Sequence, residues 1–317
     1  MAAKVKFGIR LNVQGEMGAT SSGFAFTLEM AKLAEDLGFD SVWIPDHVEN
    51  AHLDRHKPIL EYWTTLTAVG ALTKRVRLGG HSYNNTFRHP GLTAKIALTL
   101  DQITNGRVIL APGSGWFAAE AKSYGFPWSD VGLERIARLD ESLEIMRGLM
   151  TREKYSFDGK FFQLKDAYCN PKAVQKPYPP IWIAGDSEPT QELMVRHGDV
   201  WFMYSKAPPV VKTLVDGMKK KMTRPFEVAV SAVGLADKGE AETLKWAQMY
   251  ADERKHRFPV PPTVDDVLGA NLIGDAGRVR ARIDEWIDAG VNHVVIQPMP
   301  PIEGTRFFGE KILPHYA

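Results

Sequence analysis

Short apolar runs alternate with amphipathic stretches along this chain. The first run spans Lys4 to Ile9. An amphipathic stretch from about Phe24 to Leu37 follows, with Leu28, Ala31, Ala34 and Leu37 at the spacing of one helix face and Met30 and Leu33 beside them. Gly38 then stands where a helix-ending glycine belongs. Strand Ser41 to Pro45, helix Tyr62 to Leu72, strand Val76 to Gly80 and helix Gly91 to Gln102 continue the pattern, leading to strand Arg107 to Pro112. After a longer, partly helical connection come strand Pro180 to Ala184, helix Glu188 to His197, strand Val200 to Met203 and helix Pro209 to Lys221. Strand Glu227 to Leu235, helical stretches near 240–251 and 276–289, and strand His293 to Gln297 close the series.

Strands that alternate with helices predict a parallel sheet. Eight such units predict an α/β protein with a (β/α)8 TIM barrel, and an open doubly wound sheet is the alternative. Two connections, Pro112 to Pro180 and Leu235 to His293, are long enough to be insertions after strands 4 and 7. In the first, Tyr155 to Phe162 reads as a hairpin with Asp158-Gly159 as its turn. No linker or shift in composition divides the chain, so residues 1–317 are expected to form one domain.

Composition narrows the class. The 317 residues are 44% hydrophobic and 24% charged, which suits a globular protein with a large core. The net charge of +1 supplies no field for nucleic acid or an anionic membrane. Lys219-Lys220-Lys221 reads as a solvated helix end. A single cysteine, Cys169, excludes an intrachain disulfide and makes a reduced, cytoplasmic setting the expectation. Met1-Ala2-Ala3-Lys4 lacks the apolar stretch of a secretory signal, and no run of about 18 apolar residues predicts a membrane span.

A barrel of this kind carries its site at the C-terminal strand ends. Those ends are Ile9-Arg10-Leu11-Asn12, Pro45-Asp46-His47, Gly79-Gly80-His81-Ser82, Pro112-Gly113-Ser114-Gly115-Trp116, Ala184-Gly185-Asp186-Ser187, Tyr204-Ser205 and Gln297-Pro298. His47 is a candidate for moving a proton near neutral pH, or else a structural histidine, and His81 is a weaker candidate. Asp46 does not orient His47 by adjacency, because neighbours on a strand face opposite ways. Ser187, just before a helix, either caps it or helps to receive an anion such as phosphate. Trp116 follows Gly-Ser-Gly and suits the wall of a pocket for a flat ring or an apolar substrate. Most of the other aromatics, among them Trp43, Trp63, Phe117, Trp128, Trp182, Trp201 and Tyr204, are expected in the core.

Other motifs fail. Gly113-Ser-Gly115 with Ala118 is only a relaxed dinucleotide fingerprint, and no nucleophile elbow surrounds Ser114. His52 and His56 have helical spacing, but no further ligand completes a metal motif, so no metal is expected.

At these positions the sequence resembles the bacterial luciferase-like superfamily of flavin and deazaflavin oxidoreductases. The resemblance runs through Lys6-Phe-Gly-Ile9, Ala31 to His47, Arg77-Leu-Gly79, Phe87-Arg-His-Pro90 and Leu100 to Arg107. It continues with Gly113-Ser-Gly-Trp116 plus Glu120, Gln175 to Gly185, and His197-Gly-Asp199. It implies a (β/α)8 barrel that binds coenzyme F420 or reduced FMN at the strand ends. It implies that His47 lies near the reactive ring edge and that His81-Ser82 forms a non-prolyl cis bulge against the ring. Gly113, Ser114, Gly115 and Trp116 match the cofactor loop of strand four, Gly185, Asp186 and Ser187 the phosphate-proximal loop of strand five, and Asp46 and Gly80 adjoin the same exits.

Pro45-Asp-His47 and Phe7-Gly-Ile9 resemble the deazaflavin branch, whereas Gly115 to Glu120 with Phe126-Pro-Trp128 also resembles FMN-dependent sulfone and pyrimidine monooxygenases. Trp116 stands where the glucose-6-phosphate dehydrogenase branch has a catalytic glutamate, which argues against a sugar phosphate. The leading expectation is therefore hydride transfer between F420 and a small, partly apolar organic substrate. The alternatives are a monooxygenase using reduced FMN from a separate reductase, and a non-catalytic barrel subunit. The resemblance also implies a homodimer.

Overall fold

The computed structural model describes residues 5–13, 23–51, 55–236, 239–254 and 262–317. Its strands are β1 (Lys6–Arg10), β2 (Ser41–Ile44), β3 (Arg77–Gly80), β4 (Tyr83–Asn84), β5 (Pro112–Gly113), β6 (Lys154–Asp158), β7 (Gln163–Tyr168), β8 (Trp182–Ala184), β9 (Val200–Tyr204), β10 (Glu227–Leu235), β11 (Leu272–Ile273) and β12 (His293–Met299). Its α-helices are α1 (Phe24–Asp36), α2 (Tyr62–Leu72), α3 (Pro90–Ile103), α4 (Ala118–Ser123), α5 (Gly132–Thr151), α6 (Glu188–His197), α7 (Pro208–Lys221), α8 (Glu240–Arg254), α9 (Val264–Ala270), α10 (Ala276–Asp288) and α11 (Pro301–Phe307).

The main sheet runs in the order β3-β2-β1-β12-β10-β9-β8, with β11 added to β10, and all its pairings are parallel. The segment Arg107–Ala111 touches both edges. Ile109 N–H donates to Leu78 O at 2.8 Å, while Leu110 N–H donates to Pro180 O at 2.9 Å and Trp182 N–H to Leu110 O at 2.7 Å. Because it changes partner between Ile109 and Leu110, the expected fourth strand makes isolated bridges rather than a continuous ladder.

Side-chain alternation divides the core in two. Val42, Leu78, Ile183, Trp201, Val230 and Ile296 face the helices. Trp43, Ile109, Ala111, Trp182, Phe202, Ala229 and Val295 form a separate cluster on the opposite sheet face. Trp43 packs 4.7 Å from Trp182 and 5.2 Å from Phe202, ring centre to ring centre. Gly8 and Gly79 make room for it: a Cβ on either would stand 2.5 Å from the Trp43 indole.

Helix ends follow local chemistry. Gly38 takes φ +86° after α1, Glu61 caps α2, and Pro90 opens α3. Lys219, Lys220 and Lys221 are exposed at the end of α7, as their sequence suggested. The hairpin differs from its expected register. Tyr155 pairs with Ala167, so its return strand lies later than expected, and Gly159 N–H closes a wider turn onto Phe162 O at 3.0 Å. The β4–β5 pair, α9 with β11, and α11 after the last strand escaped the hydrophobic pattern because they are short. No helix among the described residues is long and apolar enough to cross a membrane.

Candidate active site

Beyond Ile44 the chain leaves β2 through Pro45-Asp46-His47. Asp46 is buried. Its Oδ2 accepts from Asn84 N–H at 2.9 Å and Arg88 Nη1 at 2.7 Å, and its Oδ1 accepts from Arg88 Nη2 at 3.2 Å. Arg88 also donates to Glu61 Oε1 at 2.6 Å, and the other Glu61 oxygen accepts from Thr64 N–H at the start of α2. Burial raises the Asp46 pKa, and Arg88 opposes that shift. Burial alone would lower the Arg88 pKa, but Asp46 and Glu61 raise it above its ordinary value. The two-pronged contact is that of a guanidinium on an ionised carboxylate. Both Asp46 oxygens are therefore engaged by protein, and any cofactor contact would share them.

His47 is also buried and meets a different partner. Its Nδ1 lies 2.9 Å from Glu120 Oε2. Glu120, fully buried on α4, uses Oε1 to accept from Val48 N–H at 2.5 Å and Glu49 N–H at 2.9 Å. The imidazole stands edge-on to Trp116, with ring centres 5.6 Å apart. In the sequence Glu120 belongs to the luciferase-like resemblance but carries no assigned role. The available signal was a lone acid inside Ala118-Ala119-Glu120-Ala121, just after a glycine-rich strand exit.

The peptide between His81 and Ser82 is cis, as the resemblance implied. His81 Nε2 lies 2.6 Å from Ser231 Oγ on β10, and the ring is edge-on to Phe202 and Tyr204. Burial, reinforced by the nearby Arg10 charge, pushes the His81 pKa down to about 3. The ring is neutral near pH 7, so it supplies no acid there. Arg10 donates to Gln297 Oε1 at 2.6 Å, joining the exits of β1 and β12.

Gly80 is buried, and a Cβ there would stand 2.8 Å from Tyr62 Oη, so packing alone demands glycine. Gly113 backs directly onto Ser82 Oγ, leaving no room for a side chain. Ser114 is half-buried, and Gly115 takes φ +84° beside Asn84. Trp116 is 46% exposed at the rim. Trp43, Trp63, Trp182 and Trp201 are core residues as expected, but Tyr204 is 66% exposed because it is the last residue of β9, past the packed part of the sheet.

At the β8 exit, Gly185 takes φ +117° and its carbonyl accepts from Trp201 Nε1 at 2.7 Å. Asp186 pairs with Lys206 Nζ at 2.6 Å in a partly exposed contact. Ser187 precedes α6, yet its side chain makes no cap; its hydroxyl pairs with Thr190 Oγ1 at 2.8 Å instead. This overturns the reading of Ser187 as a simple side-chain cap. No cluster of three His, Cys, Asp or Glu residues that could hold a metal occurs among the described residues, and His52 lies outside them.

The chain matches the luciferase-like monooxygenase family over residues 5–293. It belongs to that family, and it is an enzyme of that family. It is 30% identical to an F420-dependent glucose-6-phosphate dehydrogenase of Amycolatopsis mediterranei (strain U-32), with 96% of this chain and 98% of that protein covered. It is 31% identical to an FMNH2-dependent dimethylsulfone monooxygenase of Pseudomonas putida, with 71% and 70% covered. In fold it is similar to an F420-dependent secondary alcohol dehydrogenase solved with an F420–acetone adduct, with a TM-score of 0.84, 22% identity and 99% of each chain covered.

Proposed function

We propose that this chain moves hydride between coenzyme F420 and a small, partly apolar organic substrate. The observation that carries this reading is His47, buried at the β2 exit, bonded to Glu120 and edge-on to Trp116. The nearly full-length similarity to an enzyme named as F420-dependent supports it. The architecture behind it is a single closed (β/α)8 barrel with insertions after strands 4 and 7. The contacts of Arg107–Ala111 with both sheet edges support that closure.

The residues present fit such a ring. Asn85 Nδ2 is buried with no hydrogen-bond partner among the described residues, while Asn85 N–H donates to Gly113 O at the strand exit. A ring carbonyl is the kind of acceptor this donor lacks. In this reading Gly80, His81, Ser82, Gly113, Ser114 and Gly115 bound the ring, and Asp46 anchors the wall behind it. The Gly185–Ser187 loop and the start of α6 receive its anionic tail. Bound coenzyme supplies a hydride acceptor or donor. His47 takes the proton of a substrate hydroxyl as hydride leaves the carbon, and returns it in reverse. Trp116 and Tyr204, exposed at the rim, offer flat apolar walls to the substrate.

A second reading is oxygenation with reduced FMN, supplied by a separate reductase. Gly-Ser-Gly-Trp116 and the identity to the dimethylsulfone monooxygenase favour it. A homodimer remains part of the proposal, supported by Leu72, Leu92 and Ile103, which are each about half exposed on α2 and α3. The single, buried Cys169 suits a cytoplasmic setting.

Titration of the apo-protein with F420 and with FMN, oxidised and reduced, followed by fluorescence and heat protection, tests the cofactor. Selective F420 binding is expected; selective binding of reduced FMN would move the reading to oxygenation. With F420 bound, His47→Ala should lower turnover of an accepted alcohol by roughly 10²–10⁴-fold while F420 still binds. Unchanged turnover would remove His47 from the reaction. Glucose 6-phosphate is the control, and efficient turnover of it would replace the apolar-substrate reading.

A further inference from the structure

The carboxylate behind His47 carries a consequence of its own. Glu120 is fully buried, and burial of an ion is costly unless donors surround it. Here two main-chain N–H groups, of Val48 and Glu49, converge on Oε1, leaving Oε2 to face His47 Nδ1 at 2.9 Å. An ionised carboxylate only accepts hydrogen bonds. Where Glu120 accepts at both oxygens, the ring proton belongs on Nδ1. The backbone on either side of the imidazole is fixed as well: Asp46 is clamped by Arg88, and the amides of residues 48 and 49 are held by Glu120 itself. Glu120 also lies on the stretch that carries Trp116 and Phe117, both of which pack edge-on to the ring.

We propose that Glu120 is the positioning residue for His47. It selects the Nδ1–H tautomer, makes Nε2 the nitrogen that exchanges a proton with substrate, and steadies the imidazolium while that proton is held. A partner that fixes one ring nitrogen and so assigns the other its task is a general device of histidine chemistry. The catalytic consequence rests on the role proposed above for His47, but the tautomer is a property of this chain alone.

Glu120→Gln separates shape from charge. The glutamine oxygen still accepts from the amides of Val48 and Glu49. Its NH2 group then faces His47 Nδ1 and donates, which reverses that bond and moves the ring proton to Nε2. Nitrogen-15 spectra of the imidazoles in the full-length protein, with the His47 signals assigned by their loss in His47→Asn, read this directly. Wild type is expected to show a protonated Nδ1 and a bare Nε2 at a pH where the ring is neutral, and Glu120→Gln the reverse. An Nε2–H tautomer in the wild type overturns the proposal whether or not the variant folds, and so does an unchanged tautomer in a folded Glu120→Gln protein. Turnover in Glu120→Gln is expected to fall by roughly 10–100-fold through kcat, with KM and cofactor binding held. A flipped tautomer with normal kcat would leave the positioning intact but sink His47 as the proton carrier.

Discussion

The exits of β2 and β8 look alike in sequence, each placing an aspartate one residue before a polar side chain: Pro45-Asp46-His47 and Gly185-Asp186-Ser187. They are held in opposite ways. Asp46 has no exposed side-chain surface and binds one guanidinium with both oxygens, whereas Asp186 is 39% exposed and pairs with a lysine. At the first exit the bonding partners come from α2, the stretch after β4 and α4. At the second they are Lys206, Trp201 of β9 and residues of α6. A low-dielectric surround makes each bond at the β2 exit strong and each missing bond costly, which gives a reacting group a fixed place. A hydrated exit holds its charge loosely and leaves it available to a ligand.

The largest expected effect breaks the first half of that contrast. Arg88→Ala removes the one side-chain cation paired with Asp46 among the described residues and leaves a buried carboxylate with Glu61 nearby. Stability should fall by about 3–5 kcal/mol, read from urea unfolding. A loss below about 1 kcal/mol would mean that the buried pair is worth no more than an exposed one, and the two exits would then differ only in appearance.

His81 gives a smaller, pH-dependent effect from the wall between the exits. Its folded pKa is depressed to about 3, against an ordinary 6.5. Between those values the unfolded chain binds a proton that the folded chain refuses, so stability is retained above pH 6.5 and erodes as pH falls toward 3. Replacing His81 with Gln should flatten that part of the stability profile, measured by denaturant midpoints across the range. An equally steep decline in the variant would assign the acid sensitivity to other groups.

The contrast between the exits also shows what the sequence could reveal. The βα alternation was legible because parallel strands buried on both faces read as apolar runs, and β2, with all four residues buried, is the clearest case. The strand-end rule then located His47, His81 and Trp116 at the rim without any contact being known. What it could not supply was partnership. Glu120 lies 73 positions from His47, and Ser231 lies 150 positions from His81, so only the folded chain brings them together. The change of partner at Ile109–Leu110 was hidden for the same reason, since hydrogen-bond direction leaves no trace in hydrophobic periodicity.

The smallest effect belongs to the open exit, and it has a sign that the buried exit lacks. The Asp186 carboxylate stands in the loop proposed to receive the coenzyme's anionic tail, where its charge would oppose a phosphate; Lys206 at 2.6 Å offsets it. Lys206→Ala should change stability by less than about 1 kcal/mol, as exposed pairs do. It should nevertheless weaken binding of the phosphate-bearing cofactor, by roughly tenfold at low salt, through the uncovered carboxylate. Asp186→Asn should act in the opposite direction and tighten binding, because it leaves the lysine charge to the phosphate. Parallel titrations with FMN and riboflavin, which differ by the phosphate alone, isolate the effect even if the ring prefers F420. Equal losses for both ligands would place Lys206 at the ring rather than at the tail, and would transfer the anion-receiving role away from the Gly185–Ser187 loop.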